Sequence, residues 1–165
     1  AAIDCCKVIL ENTTMEHPSP MLIEKKVHIT ATQEEVWRAL TEPERMKQWL
    51  GEPEMQITIH TDWQVGSAMV VEGFHHALFE NKGYILHFEP GKKLIYSQMS
   101  SFSRLPDIPE NYSILEFTVE SHGMSTSLSL RITNFPTLVI FKHLEFYWLT
   151  TMEIIKKTIE TQAQV

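Results

Sequence analysis

The sequence is poor in cysteine, in basic residues and in long apolar runs, and each shortage excludes something. Only two cysteines occur among 165 residues, and Cys5 and Cys6 are neighbours, where a mutual disulfide is strained. A disulfide-stapled scaffold is therefore excluded, and a reduced, cytoplasmic setting is expected. Lys and Arg number 14 against 21 Asp and Glu, a formal net charge of −7. Neither a nucleic-acid backbone nor an anionic membrane finds the basic face it needs, so neither is expected as a partner. No apolar stretch approaches the roughly 20 residues of a membrane span. The first residues lack the basic-then-apolar layout of a secretory leader, and no glycine-rich phosphate loop or dinucleotide fingerprint occurs. No cofactor is expected.

What is present suffices for one domain. Apolar residues make up 43% and charged residues 21%, a globular balance. Residues 1–20 read as an N-terminal extension or edge segment: Lys7-Val8-Ile9-Leu10 could form a short strand, but Asn12-Thr13-Thr14 and His17-Pro18-Ser19-Pro20 read as turn or linker. Residues 21–165 read as a single domain.

The dominant stretch is 136–160. Phe141, Leu144, Trp148, Met152, Ile155 and Ile159 follow at steps of three and four, one stripe of an α-helix. Phe146, Tyr147, Leu149 and Ile154 widen that stripe, which predicts a helix lying deep against a large apolar surface. Pro136 suits the first turn, and Lys156 and Lys157 suit the C-terminal end of the macrodipole.

Most of the remainder reads as strand. Ile23, Val27 and Ile29 alternate with polar residues. Thr32 with Glu35 is a capping box opening a helix that carries Val36, Trp37 and Leu40. Pro43 separates it from a second helical piece with Met46, Trp49 and Leu50. Met55, Ile57 and Ile59 predict a strand; Asp62 and Gly66 a turn; 67–72 a strand; 73–81 a bent strand and a turn; 83–88 and 94–100 two more strands. Residues 89–92 form a turn between the last two. A loop with Pro106 and Pro109 precedes the clearest hairpin, 113–120 with 125–133, turning at Ser121-His122-Gly123. The predicted class is α+β: a curved antiparallel sheet of about six to seven strands around a long C-terminal helix, with two short helices after the first strand.

Five fragments in this order carry a resemblance: Ala31-Thr32-Gln33-Glu34-Glu35-Val36-Trp37-Arg38-Ala39-Leu40-Thr41-Glu42-Pro43; Val65-Gly66-Ser67; Lys82-Gly83-Tyr84-Ile85-Leu86-His87-Phe88-Glu89-Pro90-Gly91-Lys92-Lys93-Leu94; Pro109-Glu110-Asn111-Tyr112; and the helix with Trp148, Lys156 and Lys157. Together they resemble the START-like (SRPBCC) helix-grip superfamily, in the branch similar to the C-terminal domain of the activator of the 90-kDa heat-shock-protein ATPase. The resemblance implies a cavity between the long helix and the concave sheet face, holding a small hydrophobic molecule. Tyr96, Met99 and Phe117 on strands and Tyr147, Trp148 and Met152 on the helix are the ligand-binding candidates; each is equally suited to filling a core.

Two further functions remain as expectations. A protein-interaction or chaperone-modulating module would use Phe102, Leu105 and Ile108 on the proline-containing loop; no counterpart of the activator's separate chaperone-binding domain is expected within these 165 residues. An enzyme of cyclase or hydrolase kind would use Glu116 or Glu145, but no catalytic constellation stands out, and the expectation leans against catalysis. His75-His76 with Glu72 and Glu80 is the one cluster that invites a metal. Neighbouring strand residues point to opposite faces, so no metal site is expected. Trp49 and Trp63, near predicted turns, are expected to pack.

Overall fold

The computed structural model describes residues 21–164, so the expected extension at 1–20 lies outside the described residues. The first strand is β1 (Ile23–Ile29), and it is followed by two short helices, α1 (Gln33–Thr41) and α2 (Pro43–Leu50). Six strands come next: β2 (Thr58–His60), β3 (Ala68–His75), β4 (Ala77–Glu89), β5 (Lys93–Ser100), β6 (Ser113–His122) and β7 (Ser125–Thr133). The last element is α3 (Leu138–Ala163). The strands form one seven-stranded sheet in the order β1-β7-β6-β5-β4-β3-β2, with every neighbouring pair antiparallel. The α+β helix-grip architecture expected from the sequence is the one observed.

Local chemistry explains the boundaries. Thr32 accepts from the Glu35 N–H while Glu35 caps the Thr32 N–H, the reciprocal pairing that starts α1. Pro43 occupies the first turn of α2, where its missing N–H costs nothing. In the β6–β7 hairpin, Leu115, Phe117 and Val119 stand opposite Ile132, Leu130 and Leu128. These residues face the core with Leu144, Trp148, Met152, Ile155 and Ile159 of α3.

Four expectations need correction. The strand predicted from Met55 begins only at Thr58, because Pro53–Met55 makes a tight helical turn and Gln56 takes φ 48°, outside strand geometry. The predicted turn before Asn81 is absent: β3 and β4 turn at His76, with φ 61°, and β4 runs unbroken through Asn81 and Gly83. The last hairpin turns at Gly123 and Met124, two residues later than predicted, with Gly123 at φ 77°. Finally, α3 starts at Leu138, capped by Thr137, and its apolar stripe is narrower than predicted. Phe146 is 75% exposed and Leu149 57%, with Ile154 exposed beside them; they lie on the helix side turned away from the sheet.

Candidate functional site

A small cavity of about 50 Å³ lies between residues of α3 and residues of β3, β4 and β5. Leu50, Met69, Val71, Tyr96, Tyr147 and Trp148 supply its apolar wall, and Asn81, Lys82, Ser97 and Gln98 its polar side. Strand alternation places Met69 and Val71 of β3 on the same inner face as Tyr96 of β5. Beside them the β4–β5 ladder is interrupted: the Tyr84 N–H donates to Ser97 Oγ at 3.0 Å. A Cβ at Gly83 would fall on the Ser97 carbonyl oxygen, so only glycine lets the strands approach here.

Trp148 is the centre of the aromatic cluster. Its ring meets Phe117 edge-on at 5.6 Å and Tyr147 at 5.2 Å, and lies 6.2 Å from Trp49. The two indoles differ in one respect. The Trp49 Nε1–H donates to the Ala39 carbonyl at 2.9 Å. Trp148 Nε1 is buried and has no hydrogen-bond partner, and it alone among the described residues has such a side-chain atom. Native proteins nearly always pair a buried donor, so this orphan N–H is an exception to the rule on a residue that lines the cavity.

The phenols beside it are neutral donors. Burial pushes the Tyr96 hydroxyl far above its ordinary range, and burial likewise raises Tyr147. The Tyr147 hydroxyl donates to the Leu50 carbonyl at 2.9 Å, tying α3 to the end of α2. The lining contains no carboxylate and no imidazole. Its one formal charge, Lys82, is held outward by Asp107 at 2.6 Å.

Of the six predicted ligand-binding residues, Tyr96, Tyr147 and Trp148 meet at this cavity. Phe117 and Met152 are buried behind them, 1% and 2% exposed, in the core. Met99 pairs with Lys82, whereas Tyr96 pairs with Ile85. Met99 is three positions on from Tyr96, an odd step, so the two face opposite sides of the sheet. Met99 is buried together with Tyr112 on the outer side, apart from the main core. Leu50, Met69, Val71 and Gln98 were not singled out from the sequence, although the parity that removes Met99 points to Gln98.

The remaining candidates fall elsewhere. Glu116 pairs with Lys93 at 3.1 Å across β5 and β6, and neither it nor Glu145 lines the cavity. His75 and His76 lie at the β3–β4 turn with ring centroids 4.6 Å apart. Among the described residues no three His, Asp or Glu side chains are placed to hold a metal ion. Trp63 stacks on Phe88 at 5.7 Å. No helix of the described residues is long and apolar enough to cross a membrane.

Comparison with known proteins agrees with the fold. The family model described as activator of Hsp90 ATPase homolog 1-like protein matches residues 30–160. A Cytophaga hutchinsonii protein of known solution structure is 32% identical with a TM-score of 0.71, over 87% of this chain and 97% of its own. A Chromobacterium violaceum protein shares the fold at 20% identity and TM-score 0.73, over 86% of this chain and 99% of its own. CalU16 from Micromonospora echinospora does so at 22% and 0.64, over 86% and 77%. No curated protein matches the chain.

Proposed function

Because the chain belongs to the family of activator of Hsp90 ATPase homolog 1-like proteins, we propose that it works as a helix-grip binding protein. It takes a small, neutral, mainly apolar molecule that carries one hydrogen-bond acceptor, between α3 and the sheet. The observation that carries this reading is the unpaired, buried Nε1 of Trp148, a residue whose ring helps line the cavity. Leaving such a donor buried and unpaired costs about 1–3 kcal/mol, which a ligand carbonyl or ether oxygen would recover. The neutral phenols and aliphatic wall favour an uncharged ligand.

The cavity volume of about 50 Å³ is well below the roughly 300–1,000 Å³ of an ordinary small-molecule site. Ligand entry on this reading widens the seam between α2 and α3, where Tyr147 holds Leu50. The absence of a carboxylate or imidazole from the lining favours binding over acid–base catalysis, since no group there could move a proton near neutral pH.

Native mass spectrometry of the gently purified protein tests this. An added mass lost on denaturation, and absent from a Trp148→Phe variant, would support the proposal. Protein free of added mass, both as purified and after exposure to a panel of neutral aromatic and polyketide-like carbonyl compounds, would overturn it.

A second reading rests on Phe102 and Ile108, 52% and 45% exposed on the segment between β5 and β6. Such side chains suit a protein partner. Replacing both with Ser should abolish capture of that partner while leaving ligand uptake unchanged; equal capture by the variant would remove this reading.

A further inference from the structure

The outward side of α3 carries apolar residues that the fold does not use. Leu138, Val139, Phe146 and Leu149 are 60%, 77%, 75% and 57% exposed. Spacings of three and four align Val139, Lys142, Phe146, Leu149 and Glu153 as one stripe on the side opposite Trp148. An exposed apolar stripe on a long, regular helix is a docking surface in search of its partner.

The order of charges along it identifies that partner. From Lys142 to Glu153 the stripe reads cation, apolar, apolar, anion. Reversed in direction, it is its own complement. A second α3 laid antiparallel, with the two-fold axis between Phe146 and Leu149, brings Phe146 of each copy onto Leu149 of the other. Lys142 of each copy then meets Glu153 of the other, so the same ion pair forms twice, as an isologous interface requires. A parallel copy would instead set Lys142 on Lys142 and Glu153 on Glu153. Lys142 and Glu153 are exposed, and among the described residues neither takes part in an ion pair within the chain.

We propose that the outer stripe of α3 is a self-association surface, on which a second copy of this chain docks antiparallel about an axis between Phe146 and Leu149. The cavity lies on the other side of the helix, so the dimer leaves it accessible. The charged pairs set register and direction, and the apolar pairs supply the attraction.

Sedimentation equilibrium of the full chain at low salt tests the proposal, with circular dichroism verifying that each surface variant is folded. The wild type is expected to show a monomer–dimer equilibrium, and Phe146→Asp to be monomeric at the same concentrations. Lys142→Glu alone and Glu153→Lys alone each oppose like charges twice, and should weaken the dimer about tenfold or more. The double variant Lys142→Glu/Glu153→Lys should return to within about threefold of wild type, because the exchanged pairs are again complementary. A monomeric wild type at millimolar concentration would overturn the proposal, leaving the stripe to a different partner. So would a dimer indifferent to Phe146→Asp, or a double variant weaker than both single ones.

Discussion

The hydroxyl of Tyr147 donates to the carbonyl of Leu50 across the seam between the long helix and the second short one, at 2.9 Å. That carbonyl is at the last position of α2, where helix carbonyls lack a partner of their own, so the phenol serves as a side-chain cap. Tyr147→Phe keeps the ring and deletes the cap. Stability should fall by about 0.5–1.5 kcal/mol in denaturant titration. Hydrogen exchange should quicken at 49–57 and stay unchanged in β6 and β7. Uniform quickening would mean that the bond stabilises the whole fold and does not latch the seam.

Trp148 yields a prediction in which two effects oppose. Truncation to Ala should cost about 3–5 kcal/mol, the range for a buried aromatic. Trp148→Phe loses part of that packing but also removes the orphan N–H, whose burial costs about 1–3 kcal/mol. The net change should therefore lie within about 1.5 kcal/mol of zero in thermal or chemical unfolding, while ligand retention is lost. A cost close to that of the Ala variant would show that Nε1 is paired in solution, for instance by ordered water.

Gly83 and Gly66 separate close approach from backbone strain. A Cβ at Gly83 collides with the backbone of Ser97, which cannot rotate away. Gly83→Ala should cost at least about 3 kcal/mol by forcing β4 and β5 apart at the cavity wall. Gly66 has φ 91° but open space around it. Gly66→Ala should cost only the conformational strain, about 1–2 kcal/mol. Comparing the two by urea midpoint checks the ordering, and equal costs would contradict it.

How much of this was legible in the residues varied with the range of the interaction. Thr32 and Glu35, three apart, announced α1 because capping is a local transaction between side chain and backbone. That Phe117 and Leu130 share the inner face of one hairpin was readable from the strand period, but their register was not, because the turn was placed too early. Tyr96, Tyr147 and Trp148 were found as large residues on buried faces, yet Met99 was grouped with Tyr96 despite the odd spacing between them. Gly83 was invisible as a contact, since nothing local tells that Ser97 lies against it. The outward Phe146 and Leu149 were read as core because composition reports that a helix has a second apolar stripe, and only the third dimension reports that nothing covers it. That Trp148 Nε1 lacks a partner while Trp49 Nε1 has one depends on a single carbonyl, that of Ala39, ten residues away in sequence.

Asp107 is one fastening of the segment between β5 and β6, beside Asn134, whose Nδ2 donates to the Glu110 and Tyr112 carbonyls. Asp107 accepts from Lys82 Nζ at 2.6 Å and from the Tyr112 hydroxyl at 2.5 Å. These two donors, Lys82 first, hold the Asp107 carboxyl below its ordinary range. Burial, and then the bond to Asp107, pushes the Tyr112 phenol up to about 12. The sign follows from the depressed carboxylate: its contribution is fully present above the unfolded-state value and is lost as pH falls through the lower folded-state value. The strap should therefore hold across the neutral range and release only in acid, uncovering Met99 and Tyr112. Amide NMR shifts of 101–112, followed from pH 7 downward, should show a transition below the ordinary aspartate range. In Asp107→Asn the neutral amide has no such transition, so the segment should be loosened already at pH 7 and insensitive to acid until the whole domain unfolds. A transition with the same midpoint in both proteins would assign the opening to another group and remove Asp107 as a fastening.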